Sequence, residues 1–349
     1  MDLKAFITGC AGTALTYAER EFFAAERPCG LILFARNVSD PEQIRALIAD
    51  FKAAVGGEAL LILIDQEGGR VQRLRPPHWH AMPPQRCYGD LYAADPEAGK
   101  AAAFAGARLM AAELHALNIN VDCTPCIDVP EEGAHDIIGD RAFSSDPEVV
   151  SVLGRAVMDG ILAGGVLPVI KHVPGHGRAR ADSHKALPCI DASREELEAV
   201  DFRPFRALHD APLAMTAHVL LPQFDERRPA TVSPVIMDQV IRKGMGLIGL
   251  VMSDDIGMKA LEGSFAERTR AVFEAGCDVV LHCSGALGEM IEVAGAVPML
   301  EGEAAKRFAH AWACLHAPEP FDPVEAMALV SEAAGTRVAS LGADPTAQA

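Results

Sequence analysis

The chain has 349 residues, of which 50% are apolar and 23% charged, and a formal net charge of −17. That composition suits a soluble globular protein with a large core, and the length accommodates either two domains or one α/β barrel. No lysine- or arginine-rich run offsets the negative charge, which argues against nucleic acid and anionic membranes as partners and leaves any anionic substrate to local positive groups.

Short apolar runs alternate with longer helical patterns. Strands are expected at residues 5–8, 31–34, 61–64, 119–121, 169–170, 214–217, 249–252 and 279–281. Most are continuously apolar, as parallel strands buried on both faces must be. Between them, Asp40-Pro41-Glu42, Asp95-Pro96-Glu97 and Asp146-Pro147-Glu148 each place a capping Asp before a Pro at the first helical position. Ile44, Leu47, Ile48 and Phe51 share one face of the first of these helices. Ser193 with Glu196 forms a capping box ahead of Leu197, Val200 and Phe205, and Ser233-Pro234 opens another helix. Strand and helix alternating in this way predict a single-domain (β/α)₈ barrel over residues 1–340. A last helix from Asp322-Pro323 is expected to pack outside it, and residues 341–349 are expected to be disordered.

The nine cysteines show no paired framework, and Cys10, Cys123, Cys277 and Cys283 lie in apolar runs, so reduced thiols in a cytosol are expected. Cys123-Thr-Pro-Cys126 has redox or zinc spacing, but no second pair follows. Ile7-Thr8-Gly9-Cys10 is similar to a lipoprotein cleavage box, yet only Ala5-Phe6-Ile7 precedes it as an apolar run, so it reads as a strand. No apolar run is long enough to span a bilayer.

The expected strands end in polar residues nearly throughout: Arg36 and Asn37, Asp65, Asp122, Lys171 and His172, His218, Asp254 and Asp255, then His282. In this fold the carboxyl ends of the strands carry the active site. The loops at 65–94, 122–145 and 172–192 are long enough to wall a pocket.

The densest chemistry lies in Lys171-His172-Val173-Pro174-Gly175-His176-Gly177 and Asp182-Ser183-His184. Pro and Gly exclude a regular helix there, and a loop rich in titratable groups suits proton transfer. Asp182 two residues from His184 can orient one ring nitrogen and leave the other to carry a proton. A metal site would draw on His172, His176, His184 and a strand-end Asp; a structural alternative is a loop held by its own imidazole hydrogen bonds. Asp65-Gln66-Glu67-Gly68-Gly69-Arg70 suits a carboxylate that accepts from vicinal hydroxyls, or a loop staple onto Arg70 or Arg73. Arg141 can fork onto a substrate oxygen, or pair with Asp140 or Asp146. Of the adjacent Asp254 and Asp255, one can face the barrel mouth and the other the wall. A mouth-facing carboxylate held ionised can attack an anomeric carbon.

Together these motifs, with Leu33-Phe34-Ala35-Arg36-Asn37, Gly139-Asp140-Arg141-Ala142-Phe143 and Ser253-Asp254-Asp255-Ile256-Gly257-Met258, resemble glycoside hydrolase family three, and within it the bacterial β-N-acetylhexosaminidases. The resemblance runs from about Gly9 to Cys283; Val173 stands where Phe is usual and Ile256-Gly257 where Leu-Ser is usual. It implies a retaining exo-hydrolase of terminal β-linked N-acetylglucosamine in single-domain form. Asp254 would be the nucleophile and His184 the general acid/base, oriented by Asp182. Asp65, Arg70, Arg141, Lys171 and His172 would hold the sugar, with Met258 lining the pocket. The implied substrate is N-acetylglucosaminyl-anhydromuramoyl peptide from cell-wall turnover in the cytoplasm, met by a monomer without metal or cofactor. A phosphorylase and a metal-dependent barrel hydrolase are the alternatives, the first because an imidazole donor does not repel phosphate.

Overall fold

The computed structural model describes residues 2–183 and 185–335, together with Asp344 and Thr346. Eight parallel strands close a barrel: β1 (Lys4–Thr8), β2 (Pro28–Leu33), β3 (Leu61–Ile64), β4 (Val121–Asp122), β5 (Leu167–Val173), β6 (Leu213–Thr216), β7 (Leu250–Asp255) and β8 (Val279–His282). Each pairs with its neighbour in sequence, and β1 with β8 completes the ring through Phe6–Val280, Ile7–Leu281 and Thr8–His282. The strands are buried almost throughout, which accounts for their unbroken apolar runs.

The helices begin where the capping signals place them. The side chains of Asp40, Asp95, Asp146 and Asp322 each accept from first-turn N–H groups of Pro41–Val55, Pro96–Ala116, Pro147–Ala163 and Pro323–Ala334. Ser193 and Glu196 cap each other's backbone as a reciprocal box. Ser233 Oγ accepts from Ile236 N at 3.2 Å at the head of the helical stretch Ile236–Gly244.

Two differences from the sequence expectation matter for the site. Strands β5 and β7 run further than their apolar cores, through Lys171-His172 and through Asp254-Asp255. Those residues therefore stand on rigid sheet and not on loops. The segment after β3 also carries structure of its own: a hairpin of Gln66–Gly68 with Val71–Gln72, then the helix Gln85–Ala94. Of the tail, Asp344 and Thr346 meet Arg73 at the barrel mouth; the other residues of 341–349 lie outside the described residues.

Candidate active site

A hollow opens among the carboxyl ends of the strands, where small-molecule sites of this fold are found. Its floor is apolar, from Ile32, Met215 and Leu281, and its walls are charged.

One wall is built by the hairpin after β3. Gln66 holds it internally: Oε1 accepts from Arg73 N and Leu74 N, each at 3.0 Å, and Nε2 donates to Leu74 O at 3.0 Å. The turn needs its glycines, since Gly68 has φ 87° and a Cβ there would stand 2.3 Å from Pro83 O. The hairpin thereby sets Asp65, Glu67 and Arg73 beside Lys171 from β5. Lys171 Nζ lies 2.8 Å from Asp65 Oδ1 and 2.6 Å from Glu67 Oε1. Arg73 donates to Asp65 Oδ2 at 3.0 Å. Arg141 forks onto Glu67 with two bonds of 2.9 Å and reaches Ile137 O at 3.1 Å.

Burial alone would push both carboxyls up. The cations beside them win: Lys171 and Arg73 hold Asp65 well below the usual carboxylate range, and Arg141 with Lys171 hold Glu67 down at about 2. Burial works against the Lys171 ammonium too, but Asp65 and Glu67 raise its affinity for the proton. The cluster is thus fully ionised at neutral pH.

Behind it sits an imidazole relay. Asp128 Oδ2 faces His172 Nδ1 at 2.7 Å, and Asp128 Oδ1 accepts from His176 N at 2.6 Å. Arg141 Nη2 lies 3.3 Å from His172 Nε2. An arginine only donates, so His172 Nε2 accepts and its proton rests on Nδ1, toward Asp128. Burial opposes ionisation of Asp128, but His172 and His176 keep its carboxyl well below the usual range. Burial pushes His176 down to about 4. Its Nε2 lies 3.3 Å from Ser183 Oγ, and its buried Nδ1 has no hydrogen-bond partner among the described residues.

β7 delivers the two acids that strand alternation separates. Asp254 is half-buried and lines the hollow, with Oδ1 accepting from Asp255 N at 2.8 Å. Asp255 is buried and engaged by the scaffold, accepting from Gly257 N and Cys283 N, each at 3.0 Å. Met258 follows on the same rim. β3 and β7 are diametrically opposed in the ring, so Asp254 faces the charged cluster across the hollow. From the long loop after β5, Ser183 lines the hollow, and Asp182 is buried beside it with an ion pair to Lys185 at 3.4 Å. His184 lies outside the described residues.

The remaining strand-end polar groups serve the scaffold. Arg36 binds the carbonyls of Cys10 and Cys283, and Asn37 those of Cys10 and Gly12. Asp122 accepts from Gln66 N at 3.0 Å, and His218 bridges Thr231 Oγ1 and Asp255 O. His282 pairs with Glu289 at 3.1 Å. Arg70, expected at the sugar, instead turns to Asp136 at 3.0 Å and Asp140 at 2.7 Å and does not line the hollow. The reason is its place at the hairpin turn, where its side chain staples the loop after β4. Arg73 stands in the hollow in its stead. Glu67 and Asp128 were also not singled out from the sequence, although both lie inside or beside the motifs that were.

The model of the glycosyl hydrolase family 3 N-terminal domain matches residues 9–311. This chain belongs to glycosyl hydrolase family 3. Among curated proteins, a beta-hexosaminidase of Aromatoleum aromaticum is 40% identical over 278 residues, 78% of this chain and 77% of that protein. One from Alkalilimnicola ehrlichii is 41% identical over 288 residues, 81% of this chain and 82% of that protein. Among solved structures, NagZ from Neisseria gonorrhoeae in complex with N-trifluoroacetyl-D-glucosamine superposes with a TM-score of 0.84 at 32% identity, covering 97% of this chain and 99% of that one. A family 3 β-N-acetylglucosaminidase from a Paenibacillus species superposes with a TM-score of 0.83 at 28% identity, covering 95% of this chain and 66% of that one. This family 3 chain is accordingly a glycoside hydrolase on a (β/α)₈ barrel.

Proposed function

We propose that this family 3 hydrolase is a retaining exo-β-N-acetylglucosaminidase that removes terminal N-acetylglucosamine from cell-wall turnover fragments. The observation that carries the reading is Asp254: a carboxylate on a rigid strand end, lining the hollow and facing Asp65, Lys171, Arg141 and His172. The family membership and the sugar-bound relative support it.

Each group has a task in this reading. Asp65 accepts from sugar hydroxyls while Lys171 and Arg73 keep it anionic and oriented. Lys171 has three ammonium protons, of which Asp65 and Glu67 engage two among the described residues. Arg141, fixed by Glu67, and His172, fixed by Asp128, present a rigid polar wall. Met258 packs against the ring. Asp254 attacks the anomeric carbon as the glycosidic bond breaks, and His184 gives its proton to the departing oxygen. The resulting neutral imidazole then takes a proton from water, which attacks the same carbon and releases Asp254. Asp182 orients the His184 ring and favours its protonated form. The loop closes over the substrate for each turnover.

The catalytic barrel in this proposal spans residues 1–340, works as a monomer in the cytoplasm and needs no metal or cofactor. The substrate is an N-acetylglucosaminyl-anhydromuramoyl peptide. Incubation with p-nitrophenyl N-acetyl-β-glucosaminide tests the activity. Free N-acetylglucosamine at the same rate with or without phosphate is expected, unaffected by a strong chelator. Sugar 1-phosphate as product would make it a phosphorylase; activity lost to the chelator and restored by zinc would make it a metallohydrolase.

A further inference from the structure

The Cys123-Thr-Pro-Cys126 spacing has no part in glycoside hydrolysis, yet one of its thiols lies against the sugar-binding relay. Cys126 Sγ is 3.3 Å from Asp128 Oδ2, and the same oxygen is 2.7 Å from His172 Nδ1. All three donor atoms fall within 4.8 Å of one another, and all three residues are buried. His172 lines the hollow, so the cluster lies one imidazole away from the ligand space. A second imidazole, that of His176, sits with its ring centroid 5.9 Å from that of His172, and its buried Nδ1 has no partner among the described residues.

We propose that Cys126, Asp128 and His172 form an inhibitory site for a thiophilic divalent cation. Thiolate, carboxylate and imidazole bound at about 2.0–2.3 Å place their donor atoms roughly 3.4 Å apart around a tetrahedral ion. The Sγ–Oδ2 separation already matches, and the Nδ1–Oδ2 pair must open by less than about 1 Å. The balance is simple. Cys126 gives its proton to solvent, and the imidazole proton moves from Nδ1 to Nε2. The two charges of the cation are met by one thiolate and one carboxylate, so the buried assembly is neutral. A soft thiolate in the set favours zinc- or cadmium-like ions over magnesium or calcium.

Inhibition follows from the tautomer. With the cation on Nδ1, the Nε2 proton points at Arg141, which is itself a donor, and the contact at 3.3 Å becomes repulsive. Arg141 and His172 are then no longer set for a sugar. This consequence rests on the proposed sugar site; the cation site does not.

Titration with Cd²⁺ tests both, followed by the ultraviolet thiolate-to-cadmium charge-transfer band and by hydrolysis of the chromogenic glucosaminide. Cys126→Ser keeps a hydroxyl donor to Asp128 but removes the thiolate, and Cys126→Ala serves should the first variant misfold. We expect one equivalent less of the band in the variant than in the unaltered chain, and at least about a tenfold higher Cd²⁺ concentration for half-inhibition. Identical bands in the unaltered and variant chains would overturn the site. A lost band with unchanged inhibition would show that inhibition arises from a cation bound elsewhere and would overturn the inhibitory role of the site.

Discussion

Asp128 fixes the tautomer of His172: a contact of 2.7 Å to Nδ1 on one side and Arg141 at 3.3 Å from Nε2 on the other leave the ring only one protonation pattern. Asp128→Asn removes the charged acceptor while keeping the shape. The expected cost is about 1–3 kcal/mol of binding, roughly five- to 150-fold, and it should fall on KM more than on kcat. Steady-state kinetics on the chromogenic glucosaminide check this. An unchanged KM would remove Asp128 from the positioning of the sugar wall.

Glu67 is the hub of the cation wall, since it meets Arg141 twice and Lys171 once. Glu67→Ala leaves two buried cations short of a partner, and a stability loss of roughly 3–5 kcal/mol is expected in urea unfolding. Glu67→Gln keeps an acceptor and should lose less. Equal losses in the two variants would mean that packing, not charge, is what the residue supplies.

His176 sets part of the acid sensitivity. Burial lowers it from 6.5 to about 4, so the folded state binds its proton less readily than the unfolded chain. Its contribution is therefore present above pH 6.5 and lost as pH falls to about 4. Asp201 acts in the opposite sense: burial, only partly offset by Arg178, raises it to about 6, so its contribution grows as pH falls below that value. Comparing unfolding free energies of the unaltered chain and His176→Gln at pH 6.5 and pH 4 isolates the histidine. The variant should lose less on acidification; a parallel loss in both would exclude His176 as a source of the slope.

Much of this was legible in the sequence. The eight barrel strands follow from continuous apolar runs, and the helix starts from Asp-Pro and Ser-x-x-Glu signals, because each is a local physical demand. The acids at Asp254 and Asp255 separated as strand alternation requires. What stayed hidden depends on contacts between distant segments. The hairpin after β3 hangs on the side chain of Gln66, and only that hairpin decides that Arg73 faces the hollow while Arg70 reaches Asp136 and Asp140. Glu67 lay inside a motif whose Asp drew attention, although a carboxylate amid arginines was the available signal. Asp128 stands just past Cys126, but its partners His172 and His176 come from another strand and its loop, so its role shows only in the fold.

His184 as proton donor predicts a dependence on the leaving group. His184→Ala should lose on the order of 10²–10⁴ in rate on substrates with poor leaving groups and much less on activated aryl glycosides, which depart without a proton. A series of aryl glucosaminides of graded phenol acidity gives the answer. Equal losses along the series would assign the proton to another group.

If Asp254 forms the bond to the sugar, the hydrolysis rate of Asp254→Ala must show it. With circular dichroism and Tm unchanged, no detectable release of p-nitrophenol from the N-acetyl-β-glucosaminide is expected. Substantial residual turnover by that folded variant would contradict it.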